Sequence, residues 1–113
     1  MYIGYTDGAC RHTQIIALVA WVIFSPSGQL LSSSRSCLGL ATNNLAEYSA
    51  AIELLIDVIW HDIIHLAIKL DSQLLVSQLN GLYVVRNSMI LRKFLRVKFI
   101  GTSFSIYYLS LYS

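Results

Sequence analysis

Short runs of apolar, β-branched and aromatic residues are separated along this chain by longer stretches of helical character. Runs of the first kind predict strands, and stretches rich in Ala, Leu and Glu behind cap-forming residues predict helices. The pattern gives the order β-β-β-α-β-α-α-β, with strands at residues 2–6, 17–24, 29–37, 64–70 and 102–111 and helices at 45–60, 71–81 and 88–98. No repeat or linker interrupts this order, so we expect a single domain over residues 1–113.

Two features of this order predict how the strands pair. Residues 25–28 (SPSG) form a turn by composition, so the strands at 17–24 and 29–37 make an antiparallel hairpin. A strand, a crossover helix and a further strand form a right-handed parallel unit, which makes the strands at 2–6 and 64–70 the central parallel pair. The almost continuous apolar run at 17–24 predicts a strand that is buried on both faces. The fold class is therefore α/β, a five-stranded mixed sheet with helices packed on it.

The charged residues are few and unevenly distributed. Of the 113 residues, 12% are charged, about half the usual share. All six acids lie in the first 71 residues beside three basic residues, a balance of −3, whereas residues 72–113 carry five basic residues and no acid. An acidic N-terminal part and a basic C-terminal part suggest a metal or proton site beside a surface that binds anions. The alternative for the basic part is an ordinary solvated helix face.

The apolar content, 56% of the residues, does not predict a membrane protein. The longest apolar run covers only the ten residues 15–24, whereas a spanning helix needs about 20. We see no secretory signal pattern at the start of the chain, and Cys10 and Cys37 have no metal-binding spacing. We therefore expect an intracellular protein, cytoplasmic or nuclear, with both cysteines reduced.

Two aspartates are predicted to meet at one edge of the sheet. Asp7 and Asp71 follow the two strands that form the central parallel pair, and ligands bind at the carboxyl ends of such strands. Because adjacent strands lie about 4.8 Å apart, these carboxylates would approach closely and repel each other unless a proton or a cation lies between them. The alternative role for each aspartate is that of a turn former or helix cap.

Glu47 lies at the start of the helix face that is predicted to pack on the sheet. At about 100° per residue, this face continues through Ala51, Leu54, Leu55 and Val58. A separate stripe of Ser49, Glu53 and Asp57, centred roughly 120° from Glu47, is predicted to face water. A carboxylate on the packed face is costly unless it is paired or bound to a metal, although a helix dipole can also stabilise a glutamate in an early turn. Three carboxylates at one edge favour a hard divalent cation, and we expect this cation to be Mg²⁺.

Three segments resemble the successive motifs of a known family. YTDGA at residues 5–9, TNNLAEY at 42–48 and LDSQ at 70–73 resemble those of ribonuclease H type 1, in the variety found in plant retroelement and reverse transcriptase-like proteins. The resemblance covers about residues 1–98 and implies the ribonuclease H-like fold. It also implies endonucleolytic hydrolysis of the RNA strand of RNA–DNA hybrids by a two-metal mechanism, with 5′-phosphate products.

The resemblance also assigns roles to individual residues. Asp7, Glu47 and Asp71 match catalytic carboxylates that bind Mg²⁺, with Mn²⁺ as the other candidate ion. The positions that match contacts to the minor groove of the hybrid are Gly8, Cys10, Asn43, Asn44 and Gln73. The basic residues expected to hold phosphates are Arg86, Arg92, Lys93 and Arg96. Two of the groove positions have simpler alternatives, since Asn43 can serve as a helix cap and Cys10 as a packed thiol.

One departure from the family lowers the expected activity. The family carries a fourth aspartate and a histidine after the fifth strand, and a last helix that covers one face of the sheet, whereas no acid follows Asp71 here and residues 99–113 are uncharged. We therefore expect a ribonuclease H domain cut short, with impaired activity and with apolar surface that could drive self-association. The alternatives are an inactive remnant that still binds nucleic acid and a fragment that works only with a partner.

Overall fold

Five strands and three helices follow one another in the predicted order within the residues that the structure describes. The computed structural model describes residues 1–11, 16–40 and 42–111. The strands are β1 (Tyr2–Arg11), β2 (Ile16–Phe24), β3 (Leu30–Leu40), β4 (His65–Leu70) and β5 (Ser105–Ser110), and the helices are α1 (Asn43–Trp60), α2 (Gln73–Leu79) and α3 (Ser88–Gly101).

The strands form one mixed sheet in the order β3-β2-β1-β4-β5. β1 pairs parallel with β4, and β4 pairs parallel with β5. β2 pairs antiparallel with both β1 and β3, so the predicted hairpin extends the sheet on one side of the parallel pair. The hairpin turn ends at Gly28, whose positive φ of 88° suits glycine. The α/β class and the central parallel pair are confirmed.

β1 is longer than the sequence pattern indicates. The pattern ends this strand at Thr6, before the turn-forming pair Asp7 and Gly8, but the strand continues to Arg11. Its pairing with β4 does stop at Thr6, opposite Leu70. Its pairing with β2 continues, and this second ladder of hydrogen bonds keeps the backbone extended.

β2 is buried on one face only, so the predicted burial on both faces is wrong. Ala17, Val19 and Ile23 are almost fully buried beneath α1, whereas Leu18, which points the other way, is 40% exposed. The same outer face of the sheet carries Tyr107, which is 54% exposed. In the part of the chain that the structure describes, the helices do not cover this outer face.

α1 provides most of the helical side of the core. Ala51, Leu54, Leu55 and Val58 have no exposed surface, which confirms the predicted packing face. α1 packs on β1 and β2, and α3 packs against α1. None of the helices in the described ranges is long and apolar enough to cross a membrane.

The stripe of α1 that was predicted to face water instead contacts the sheet. Asp57 Oδ2 accepts hydrogen bonds from Trp21 Nε1 at 3.1 Å and from Ser32 Oγ at 2.5 Å. Ser49 on the same stripe is only 7% exposed, and Glu53 is half-buried. Because β2 and β3 extend beneath this flank of α1, the polar side chains there meet donors from the sheet rather than solvent.

Candidate active site

Asp7 and Asp71 lie side by side where the pairing of β1 and β4 ends. The last paired residues are Thr6 and Leu70, so each aspartate occupies the next position along its strand. Asp71 follows the end of β4, as predicted, whereas Asp7 lies inside β1, because the β2 ladder extends that strand. Both aspartates are exposed and line the same cavity of about 300 Å³. The prediction that the two meet at this edge of the sheet is confirmed.

Glu47 reaches the same edge from the first turns of α1. The helix begins after Thr42, whose side chain accepts a hydrogen bond from the backbone N–H of Leu45 at 3.3 Å. Burial raises the pKa of the half-buried Glu47, a hydrogen bond from Ser72 lowers it, and the negative charges of Asp71 and Asp7 raise it further. Because both aspartates act on Glu47, the three carboxylates form one electrostatic cluster.

Ser72 is a member of this site that the sequence motifs do not single out. Its hydroxyl oxygen caps α2 by accepting a hydrogen bond from the backbone N–H of Leu75 at 3.2 Å. Its hydroxyl is also hydrogen-bonded to the Glu47 carboxylate. Ser72 therefore links the start of α2 to α1 directly beside Asp71, and its place after Asp71 is the only sequence signal of this role.

The donor atoms of this cluster suit a hard divalent cation in an open site. All of them are carboxylate oxygens, and their mutual repulsion favours a cation among them. In the described ranges, no three His, Cys, Asp or Glu side chains are close enough to enclose an ion by themselves. Mg²⁺ is commonly held by one or two carboxylates together with waters and substrate phosphates, so an unclosed set of acids fits this ion.

Three of the predicted groove-contacting residues lie at the beginnings of helices at this edge. Asn43 and Asn44 are the first two residues of α1, and Gln73 is the first residue of α2; all three are exposed. Thr42 is the cap of α1, so the alternative assignment of Asn43 as the cap is wrong. The helix starts thus place these polar side chains at the end of the sheet that carries Asp71.

The other two residues predicted to contact the groove, Gly8 and Cys10, lie on the part of β1 that extends past Thr6. Gly8 pairs with Val19, and Cys10 pairs with Ala17 through the backbone. The side chain of Cys10 lies outside the described residues, so the choice between a groove contact and a packed thiol stays a prediction.

The predicted phosphate-holding residues lie on α3 and the loop before it. Arg86, Arg92 and Arg96 are exposed, and Lys93 is half-buried. Ile90 and Val97 are buried on the side of the helix opposite Arg92 and Arg96, and Lys93 lies nearer this buried side. This arrangement leaves a basic face toward solvent, which both the phosphate-binding and the solvated-face interpretations require.

Lys98 differs from the other basic residues of α3. Its ammonium group donates a hydrogen bond to the backbone oxygen of Leu79 at 3.1 Å. It also lies 5.6 Å from the centre of the Tyr108 ring, within cation–π range. Lys98 therefore makes contacts within the fold that the neighbouring arginines do not make with any residue in the described ranges.

Comparisons with known proteins agree with this arrangement. Residues 5–111 match the reverse transcriptase-like family, so the match includes β5 and extends past residue 98, where the motif resemblance ends. The ribonuclease HI of Halobacterium salinarum is 36% identical over 104 residues, which are 89% of this chain and 51% of that protein. The chain thus spans about half the length of this curated relative.

Solved structures of ribonucleases H have the same fold. The crystal structure of RNase H1 from Halobacterium salinarum superimposes with a TM-score of 0.91 at 31% identity, over 97% of this chain and 84% of that one. LC11-RNase H1, solved in complex with an RNA/DNA hybrid, has a TM-score of 0.91 at 29% identity, over 98% of this chain and 85% of that one. The ribonuclease H fold expected from the motifs is confirmed.

Proposed function

This chain belongs to the reverse transcriptase-like family, and we propose that it is a metal-dependent endonuclease that hydrolyses the RNA strand of RNA–DNA hybrids. The observation that carries this proposal is the cluster of Asp7, Glu47 and Asp71 at the carboxyl edge of the central parallel strands. The chemistry of a protein depends on such a site, because one fold serves many unrelated activities.

The relatives support the substrate class. The curated relative is named a ribonuclease HI, and one similar solved structure holds an RNA/DNA hybrid. The exposed side chains of Asn43, Asn44 and Gln73 stand at the edge that carries the acids, where they can meet the minor groove of a hybrid. Contacts there distinguish RNA from DNA through the 2′-hydroxyl groups.

Each residue of the cluster would have its own role in the reaction. Asp7 and Asp71, exposed in one cavity, would hold Mg²⁺ or Mn²⁺ together with Glu47. Ser72, whose hydroxyl is hydrogen-bonded to the Glu47 carboxylate, would help to orient it. The chemistry that two such ions supply when bound is activation of water and stabilisation of the leaving 3′-oxygen, which gives 5′-phosphate products. The basic residues Arg86, Arg92, Lys93 and Arg96 would hold the phosphates of the hybrid.

A cleavage assay with matched variants tests this proposal. The purified chain is incubated with an end-labelled RNA–DNA hybrid in Mg²⁺, in Mn²⁺ and in EDTA, beside the variants Asp7→Asn and Asp62→Asn. Asp62 is an exposed acid in the turn after α1, so its variant is the control for loss of one charge. We expect RNA cleavage with 5′-phosphate ends, lost in EDTA and in Asp7→Asn and retained in Asp62→Asn.

Two outcomes would contradict the proposal. Cleavage that persists unchanged in Asp7→Asn would show that the cluster does not perform the reaction. Hybrid binding by the unmodified chain without any cleavage in either metal would favour the alternative, a protein that binds nucleic acid but does not cut it.

A further inference from the structure

We propose that Arg35 forms a phosphate-binding subsite on the outer face of the sheet, next to Asp7, which holds a backbone phosphate flanking the scissile one. This inference rests on the proposed function, since it concerns the nucleic acid that Asp7 would meet. Arg35 lies on β3, outside the three motifs and outside the basic segment of residues 86–98.

The strand register places Arg35 and Asp7 on one face. Asp7 pairs with Ala20 across β1 and β2, and Ala20 pairs with Arg35 across β2 and β3. Directly opposed residues project their side chains to the same face, so Arg35 faces the same way as Asp7 at a backbone separation of about 10 Å, two strand spacings. This is the face that the helices do not cover.

A single cavity joins the two side chains. It has a volume of about 570 Å³ and is lined by Asp7, Leu18, Val19, Ala20, Arg35, Ser36 and Cys37. Asp7 and Ala20 also line the cavity that holds Asp71, so the space beside Arg35 adjoins the carboxylate cluster. A strand of nucleic acid bound at Asp7 can therefore extend toward Arg35.

The charges in this cavity are complementary to a phosphodiester chain. Arg35 is exposed, and its side chain makes no ion pair or hydrogen bond to another described residue, which leaves its guanidinium donors available to a ligand as far as those residues are concerned. A guanidinium group presents five N–H donors in a planar fork that matches phosphate oxygens in pairs. Asp7 is the acid of the cavity, and metal ions would offset its charge in the proposed reaction. Arg35 is the cationic side chain that a phosphate would meet in this cavity.

Hybrid binding measured across a range of salt concentrations tests this subsite. The intact chain and the variants Arg35→Gln and Arg35→Lys are titrated into a fluorescent RNA–DNA hybrid in EDTA, so that binding is measured without cleavage. Loss of one phosphate contact should weaken binding by roughly tenfold and reduce the slope of log K against log salt by about one. Arg35→Lys should retain the slope, because the charge stays, but should bind more weakly, because the planar fork is lost.

The outcomes separate this inference from the proposed function. If the unmodified chain binds the hybrid and Arg35→Gln binds it with the same affinity and the same salt slope, the subsite is disproved and the proposed function stands. If the unmodified chain neither binds the hybrid in this titration nor cleaves it in Mg²⁺ or Mn²⁺, both are overturned. A thermal melt of each variant checks that the exposed Arg35 position does not alter folding.

Discussion

The phenolic hydroxyl of Tyr48 donates a 2.7 Å hydrogen bond to Oε1 of Gln78 and so joins α1 to α2 inside the protein. Tyr48 has no exposed surface, and burial raises the pKa of its hydroxyl above the ordinary value. Tyr48 directly follows Glu47, whose carboxylate is hydrogen-bonded to Ser72 at the start of α2. Two hydrogen bonds between the same pair of helices therefore hold Glu47 in place relative to Asp71.

We expect Tyr48→Phe to destabilise the protein by about 1–2 kcal/mol. The substitution keeps the ring but leaves the Gln78 oxygen without its donor, and a half-buried acceptor left unpaired is costly. Urea unfolding measures the change, with Tyr83→Phe as the control because Tyr83 is 60% exposed. Equal stability of the two variants would show that the Tyr48–Gln78 hydrogen bond contributes nothing to the joining of the helices.

Asp57→Asn should also destabilise the fold, by about 1–3 kcal/mol. The Asp57 carboxylate accepts hydrogen bonds from Trp21 and Ser32, and bonds to an ionised acceptor are stronger than those to a neutral amide. The matched control is Asp62→Asn in the turn after α1, where the φ of 54° is one that asparagine tolerates well. Denaturant unfolding that gave the same free energy for both variants would contradict this role of Asp57.

Gly4→Ala should be destabilising because α1 lies directly over β1 at this point. A Cβ at Gly4 would lie 2.7 Å from Cδ1 of Leu54. The Leu54 side chain is fully buried, so neighbouring core residues would resist its displacement. Overpacking of this kind costs about 1–3 kcal/mol. In a double-mutant cycle, Leu54→Ala should cost less in the Gly4→Ala background than alone, and strict additivity would rule out the close contact.

The sequence predicted the parallel pair and the meeting of Asp7 with Asp71 because these depend on element order. A strand, a crossover helix and a further strand allow few arrangements of the two strands, and the positions of both aspartates follow from that topology. The prediction that the stripe including Asp57 faces water was wrong, because helical periodicity gives only the angle between side chains on one helix. Helical periodicity does not show that a donor from another element, such as Trp21 of β2, will lie opposite Asp57.

The same limit explains the residues that sequence reasoning missed at the site. Ser72 acts through a hydrogen bond to Glu47, which lies on another helix, and its residue type alone indicates no more than a helix cap. The position of Arg35 beside Asp7 depends on the register of β1, β2 and β3 together. A shift of one residue in either pairing would turn Arg35 to the other face, so the hairpin boundaries alone could not place it.

Glu47 should make the metal-free protein less stable as pH rises. Its pKa in the folded protein is raised above the ordinary 4.5, so the unfolded chain loses this proton first. The stabilising contribution is full below that ordinary value and is lost as pH rises through the raised pKa. In EDTA, Glu47→Gln should therefore melt at a higher temperature than the unmodified chain at neutral pH and show less loss of stability with pH.

Thermal melts from about pH 4 to 8 measure this effect. Glu53→Gln, on the same helix, is the control for removal of one carboxylate from α1. Added Mg²⁺ should raise the melting temperature of the unmodified chain more than that of Glu47→Gln, because the metal replaces the proton among the three acids. A Glu47→Gln variant that melts below the unmodified chain in EDTA at neutral pH would contradict the repulsion inferred for this cluster.

Replacing Arg92, Lys93 and Arg96 together by glutamine should weaken hybrid binding and lower its dependence on salt. Each phosphate contact contributes about 0.7–0.9 to the slope of log K against log salt, so the loss of three contacts should reduce the slope by about two to three. Lys98→Gln is the control on the same helix, because Lys98 already contacts the Leu79 carbonyl and the Tyr108 ring. That variant should lose stability and keep the slope. A triple variant with an unchanged slope would show that this face of α3 is solvated rather than bound to phosphates.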